Sequence, residues 1–302
     1  MLFPRPVFPP HPAGPDEVVL DIRAVQAVAF ELLADFDAFC QSHRLRYYLC
    51  GGTLLGAVRH RGFIPWDDDV DVFMARPDYQ RLLTLAQADG FGPNRAFACA
   101  QNGGFERPFS RVYDLKTRVQ RPYYKPCSGA HVWIDILPVD GLPEDPEKLK
   151  RLFRARTLLN RFNFNAMWIV GATEPGGSVL KRLMLYPIAR AVGAKRFSAM
   201  IEHLALKRPY EDSARVGCLT GGRYGVGESM SRSAFEVPAK VTFEGREFET
   251  MSCWKEYLTG IYGDYMTPPP PEKRQVHMDY VTMRRGDYDD LCRRHPELQN
   301  GN

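Results

Sequence analysis

An α+β fold with a helical middle and C-terminal region is predicted by three patterns in the 302 residues. Apolar residues recur at three- and four-residue intervals near the N-terminus, the mark of an amphipathic helix. Short aromatic or β-branched runs, broken by glycine and proline, lie between 46 and 137 and read as strands. Two longer stretches between 143 and 197 have helical character.

In order along the chain, residues 1–15 are proline-rich and read as a flexible, extended lead-in. From Asp16, the residues Val19, Ile22, Val25, Val28, Leu32, Leu33 and Phe36 share one face of a helix that should end near His43. Residues 46–50 read as a strand, Gly51-Gly52-Thr53 breaks it, and 54–59 are helical. Residues 69–74 alternate acid with apolar side chains as a strand does, and Pro77 suits the first turn of a following helix. Strands are expected near 97–101, 110–115 and 132–137. A helix is expected from 143 to about 164, and a second from 179 to 197 that Pro187 interrupts. Residues 240–250 read as a hairpin turning at Glu244-Gly245, 252–261 as a short helix, and 286–302 as a loosely held polar tail.

Composition narrows the function classes. The hydrophobic fraction of 44% and the charged fraction of 25% are those of a water-soluble globular protein with a real core. A net charge of +4 is too small and too scattered for a nucleic-acid surface, yet it leaves room for local basic pockets. Seven cysteines, an odd number with no C-x-x-C pair, point away from a disulfide framework and toward a reduced, cytoplasmic setting. Proline near the N-terminus argues against an export signal, and no run of eighteen apolar residues occurs.

The sharpest chemical signal is Trp66-Asp67-Asp68-Asp69-Val70-Asp71-Val72. Side chains two apart share a strand face, so Asp69 and Asp71 point together while Val70 and Val72 enter a core. Paired carboxylates repel unless a cation lies between them. An all-oxygen site of this kind suits magnesium or manganese, which in turn gather phosphate oxygens. Asp135, inside the apolar run Trp133-Ile134-Asp135-Ile136-Leu137, is a third acid that needs either a buried partner or a role in a site. Gly51-Gly52-Thr53, between strand and helix, lets a phosphate approach backbone N–H groups, and Arg59, His60 and Arg61 supply cations beyond it. The bland alternatives are a solvated acid cluster, a structural Asp135–Arg111 pair, a plain turn at Gly51-Gly52 and ordinary helix-end cations. Glu228 and His277 read as structural or as pocket residues.

The stretch Gly51-Gly52-Thr53-Leu54-Leu55-Gly56-Ala57-Val58-Arg59-His60-Arg61-Gly62-Phe63-Ile64-Pro65-Trp66-Asp67-Asp68-Asp69-Val70-Asp71 closely resembles the signature of the LicD family. These are phosphocholine transferases of bacterial surface glycans, related to the fukutin-type ribitol-phosphate transferases. The segment from Trp133 through Gly141 is similar to the family's third-acid segment, and Tyr262 through Pro269 to its C-terminal signature. The resemblance implies a nucleotidyltransferase-like fold in which a small mixed sheet carries the acids and packs against helices. It implies one catalytic domain over 16–285, with a helical insertion at about 144–215 that matches poorly. It implies a CDP-alcohol donor, CDP-choline foremost, a glycan or lipid-linked glycan acceptor, and CMP as the leaving product. By the same resemblance Asp69, Asp71 and Asp135 are the catalytic and metal-binding acids. It places Gly52 and Thr53 at the donor phosphates; apart from the resemblance, the cations Arg59, His60 and Arg61 and the ring of Trp66 are expected as further donor-binding residues.

Two other readings compete. The same acids would serve a nucleotidyltransferase that moves the nucleotide itself from a triphosphate, and a non-catalytic nucleotide- or glycan-binding module would keep the fold without the reaction. The segment 178–197 carries Lys181, Arg182, Arg190, Lys195 and Arg196 beside leucines and Ile188, with no acid. It reads as a core helix with a solvated basic face, or as a peripheral contact with the inner face of an anionic membrane.

Overall fold

The computed structural model describes residues 13–100, 102, 105–120, 131–168, 179–274, 276–278 and 280–300, the side chains of 179–182 and 300 excepted. The first element is a strand, β1 (Glu17–Val19), where the periodicity predicted a helix already begun. The helix α1 (Ile22–Ser42) starts only after Asp21, whose side chain accepts from the Ala24 N–H at 2.8 Å. The two β-branched residues before that cap pair instead with the chain near its C-terminus, Val18 opposite Met283 and Val19 opposite Thr282. Beyond the cap the expected face holds, and Val25, Val28, Leu32, Leu33 and Phe36 are all buried.

The sheet that carries the acids follows. Its elements are β2 (Tyr48–Leu49), α2 (Gly51–His60), β3 (Val70–Ala75), α3 (Arg76–Ala88), β4 (Arg95–Ala98), β5 (Ser110–Asp114), β6 (Thr117–Gln120) and β7 (Trp133–Leu142). Strand order is β2-β3-β7-β5-β4, with β3 parallel to β7 and the other neighbours antiparallel. The fold is therefore α+β with a mixed sheet. The decisive register places Asp71 opposite Asp135 on one side, and Asp135 opposite Arg111 on the other. One row across three strands thus reads acid, acid, arginine.

Three helices form the middle of the chain: α4 (Pro146–Met167), α5 (Val179–Val192) and α6 (Ala194–Ala205). The expected interruption at Pro187 is corrected, because α5 runs through that proline and the break falls at Gly193, with φ +87°. Leu183, Met184 and Ile188 are exposed there, so water can take the carbonyl that proline leaves without a donor. A buried guanidinium ties this region to the sheet: Arg76, at the start of α3, pairs with Asp140 of β7 and with Glu202 of α6, both at 2.6 Å.

The remaining elements are β8 (Arg215–Gly217), β9 (Ser229–Ser231), α7 (Arg232–Phe235), β10 (Pro238–Phe243), β11 (Arg246–Met251), α8 (Trp254–Tyr262), β12 (Tyr280–Arg284) and α9 (Arg285–Arg294). Strands β8 and β9 extend the sheet from the end of β7, β10 and β11 form the expected hairpin, and β12 lies between β1 and β6. The segment expected to be a polar tail contains α9, which buries Leu291 and Cys292 and ties Arg294 to Glu31 of α1 at 2.7 Å. Among the described residues, no helix is long and apolar enough to cross a membrane, and the six described cysteines are free.

Candidate active site

Asp69 lies just before β3 and Asp71 within it, and Asp135 stands beside Asp71 on β7. One carboxylate oxygen from each of the three lies within 4.8 Å of the others. Burial, and then the charge of Asp71, pushes the Asp69 carboxyl well above the ordinary range; burial, and then Asp135 and Asp67, pushes Asp71 up to about 7. Asp135 is held from behind. Arg111 Nε donates to its Oδ1, and the Arg111 NH2 group donates to its Oδ2 at 3.1 Å. That guanidinium stacks 4.1 Å over the Trp133 ring and 4.5 Å over Phe105. Burial works against the Arg111 charge, and Asp135 more than offsets it, so Arg111 stays a cation. The expected alternative of a structural Asp135–Arg111 pair is thus present, and it coexists with the acid cluster.

The first turn of α2 forms the floor beside these acids. Gly51 has φ +55°, and a Cβ on it would sit 2.8 Å from Asp71 Oδ2; one on Gly52 would sit 2.5 Å from Asp67 Oδ2. The glycines are there because the carboxylates crowd the helix start. Thr53 is buried beneath, and its hydroxyl accepts the Asp71 N–H at 2.8 Å, which fixes the backbone that carries the acid. The Gly51 N–H donates to the Tyr257 hydroxyl at 3.2 Å.

A second group of acids adjoins the first. His277 Nδ1 lies 3.6 Å from Asp67, 3.4 Å from Asp68 and 3.4 Å from Asp69. Burial disfavours the charged imidazole, but Asp69 and the other two acids outweigh it and hold His277 well above its ordinary value. Asp68 accepts the backbone N–H groups of His277 at 2.8 Å and Met278 at 2.6 Å, so it anchors the C-terminal segment over the acid strand. Nearby, Arg274 lies 4.1 Å above the Trp66 ring.

The acids Asp67, Asp69, Asp71 and Asp135, with His277 and Arg274, line a cleft of about 1540 Å³. Arg156 and Arg161 of α4 also line it, as do Tyr224, Glu228 and Tyr262. Glu228 Oε1 accepts from the N–H groups of Arg223 at 2.6 Å and Tyr224 at 2.9 Å, while Oε2 is buried without a hydrogen-bond partner among the described residues. Burial pushes its carboxyl up to about 7.

With this geometry in place, the relatives can be compared. The family model described as LicD/FKTN/FKRP, nucleotidyltransferase domain, matches residues 44–141. The chain is 31% identical over 264 residues to the lipopolysaccharide cholinephosphotransferase LicD of Haemophilus influenzae, covering 85% of this chain and 96% of that protein. The chain belongs to the LicD family. It is also 41% identical over 152 residues to an uncharacterized Rickettsia prowazekii protein, RP689, covering 50% of this chain and 52% of that one.

Of the residues expected from sequence, Gly52, Arg59, Trp66, Asp69, Asp71 and Asp135 line the cleft of this LicD protein together. Thr53 lies under it. His60 and Arg61 are exposed at the other end of α2 and do not line it: His60 accepts from Arg59 Nε at 2.9 Å, and Arg61 takes the left-handed conformation that ends the helix. Asp114, on the neighbouring strand, pairs with Arg95 and caps the turn into β6. Tyr123 and Tyr124 fall outside the described residues. Sequence reasoning missed Asp67 as a cleft acid and Tyr224 altogether. It could not decide His277 and Glu228, because both reach the cleft only through tertiary contacts.

Proposed function

We propose that this chain transfers phosphocholine from CDP-choline to a hydroxyl of a cell-surface glycan such as lipopolysaccharide and releases CMP. The observation that carries the proposal is the convergence of Asp69, Asp71 and Asp135 at the first turn of α2, in a chain that aligns along almost the whole of a lipopolysaccharide cholinephosphotransferase. Three carboxylates this close, two of them resisting ionisation, form an all-oxygen donor set that fits magnesium or manganese. Asp69 and Asp71 would hold the metal, with Asp135 within reach as a third ligand or as proton acceptor. When bound, it would neutralise the charge that builds on the departing phosphate.

The protein's own groups account for the rest by position and charge. Gly51 and Gly52 keep the start of α2 free of side chains, so the donor's diphosphate can approach its backbone. Arg59 is fixed by its bond to the Tyr265 carbonyl at 2.8 Å and stands beside that approach. The acceptor hydroxyl oxygen attacks the phosphorus that bears choline, a new P–O bond forms, and the bond to the CMP phosphate oxygen breaks. CMP leaves with that electron pair. The hydroxyl proton passes to a cleft carboxylate, and Asp135, oriented by Arg111, is the acid beside the metal pair that can serve either as ligand or as acceptor.

The test is CMP release from a panel of CDP-alcohols, with and without manganese or magnesium. Metal-dependent release from CDP-choline, abolished in Asp71→Ala with its melting temperature kept, is the expected result. Pyrophosphate release from a nucleoside triphosphate instead would make the chain a nucleotidyltransferase. Binding without turnover, acceptor supplied, would make it a binding module.

A further inference from the structure

The aromatic rings of the cleft are mostly taken. Arg274 covers Trp66, Arg111 covers Trp133, and Arg107 lies 3.7 Å above Phe164 and 5.7 Å from Phe109. Among the described residues, no cation lies over Tyr224 or Tyr262. Their rings are 5.2 Å apart and inclined at 73°, edge against face. Two rings so joined make an open corner. Tyr224 is 44% exposed, so the corner is reachable, and Asp71 is close enough for its charge to act on both hydroxyls.

The corner is built into the backbone. Tyr224 precedes the tight turn Gly225–Glu228, and Tyr262 ends α8. The turn and the helix touch through Gly227 and Gly260: a Cβ on Gly227 would lie 2.3 Å from the Gly260 carbonyl oxygen, and one on Gly260 would lie 2.6 Å from that of Gly227. Only glycine at both positions allows that contact, which sets Tyr224 against Tyr262. Glu228 closes the turn through two backbone N–H groups and leaves its second oxygen buried without a partner.

We propose that Tyr224 and Tyr262 form the subsite that receives the quaternary ammonium of the donor, with Glu228 as its counter-charge; this rests on the phosphocholine-transfer reading above. A trimethylated nitrogen has no N–H to donate, so hydrogen-bond acceptors cannot select it. Aromatic faces can, and a cation held beside them favours the ionised form of Glu228. The placement agrees with the chemistry, because the nitrogen of phosphocholine is separated by two carbons from the phosphate oxygen, and the corner adjoins the acids that would hold that phosphate. Arg223 and Arg156 also act on Glu228, which leaves the tyrosine faces as the main attraction. A primary ammonium keeps its hydrogen-bond donors and gains less from the corner.

The experiment compares CDP-choline with CDP-ethanolamine for wild type, Tyr224→Leu, Tyr262→Leu and the two Tyr→Phe variants, by CMP release and by calorimetric binding of phosphocholine and phosphoethanolamine. Each leucine variant should lose about tenfold in kcat/KM for CDP-choline, mostly through KM, and change little with CDP-ethanolamine. The phenylalanine variants keep the ring and should keep the preference. Equal losses on both donors at unchanged melting temperature, or an unchanged choline preference in the leucine variants, would overturn the subsite while leaving the transferase standing. Absence of CMP from every donor would overturn the transferase. The binding arm then decides the subsite alone: phosphocholine bound in preference to phosphoethanolamine, and lost in Tyr224→Leu, supports it, and no such preference removes it.

Discussion

Asp71 and Asp135 stand opposite each other across a parallel strand pair, where the ladder forces their carboxylates together whatever the electrostatic cost. Arg111 bonds Asp135 directly and reaches Asp71 only through its charge, which does not offset burial and the neighbouring acids there, so repulsion remains at Asp69 and Asp71. Asp71→Asn should therefore raise the melting temperature of the metal-free protein by a few degrees and abolish turnover. A lowered melt would mean that the pair is not strained. Thr53 tests the scaffold beneath. Thr53→Val keeps the shape but leaves the buried Asp71 N–H without its acceptor, and should cost about 1–3 kcal/mol in denaturant unfolding. Glu228 gives a pH signature. Its carboxyl is held near about 7 against an ordinary 4.5, so the native state keeps a proton that the unfolded chain has released. Stability from this group is fully present below pH 4.5 and falls as pH rises toward 7. Glu228→Gln cannot ionise and should flatten that part of the stability–pH curve. An identical slope in both proteins would put the titration elsewhere.

At the scale of elements, what could be read in advance divides along a physical line. The segment bearing Asp69 and Asp71 was legible because its alternation is local, and Asp135 because an acid in an apolar run must answer to something. Elements whose existence depends on a distant partner were not. Residues 17–19 form a strand only because β12 is there to pair with them, and α9 is a helix whose few apolar residues, Leu291 and Cys292, find the core only in the folded chain. Arg76 shows how such distant parts are joined. It starts α3 and holds Asp140 and Glu202 from two other elements, all three largely buried. Arg76→Ala strands the Asp140 carboxylate and should cost about 3–5 kcal/mol. The double change Arg76→Met with Asp140→Leu should recover much of that loss. A double variant as unstable as Arg76→Ala would mean that packing, not charge, is what the arginine supplies.

Taken whole, the molecule lines one cleft with residues of the acid-bearing sheet and of α4, and α5, packed on α4, also meets solvent. The core-helix reading of 178–197, with a solvated basic face, holds for the buried Ala189 and Phe197 and the exposed Arg190, Lys195 and Arg196, but another face of α5 is apolar and open: Met184 is 74% exposed and Ile188 is 55% exposed, one helical turn apart, with Leu183 beside them. Buried apolar side chains would make that face core, and charged ones would make it surface; this face is apolar and open, and Arg190, Lys195 and Arg196 follow it in sequence. Such a face buries itself best in a headgroup layer, where the cations find anionic lipid and the apolar tips reach the acyl boundary. A lipid-linked glycan would then be presented at the cleft that α4 lines. The chain should co-sediment with vesicles containing anionic lipid at low salt, less at high salt, and weakly with neutral vesicles. Met184→Glu with Ile188→Glu should remove the binding while leaving CMP release from a soluble donor unchanged, since neither residue lines the cleft. Binding that survives the double change would place the membrane contact elsewhere, and no binding under any condition would return α5 to an exposed helix facing water alone.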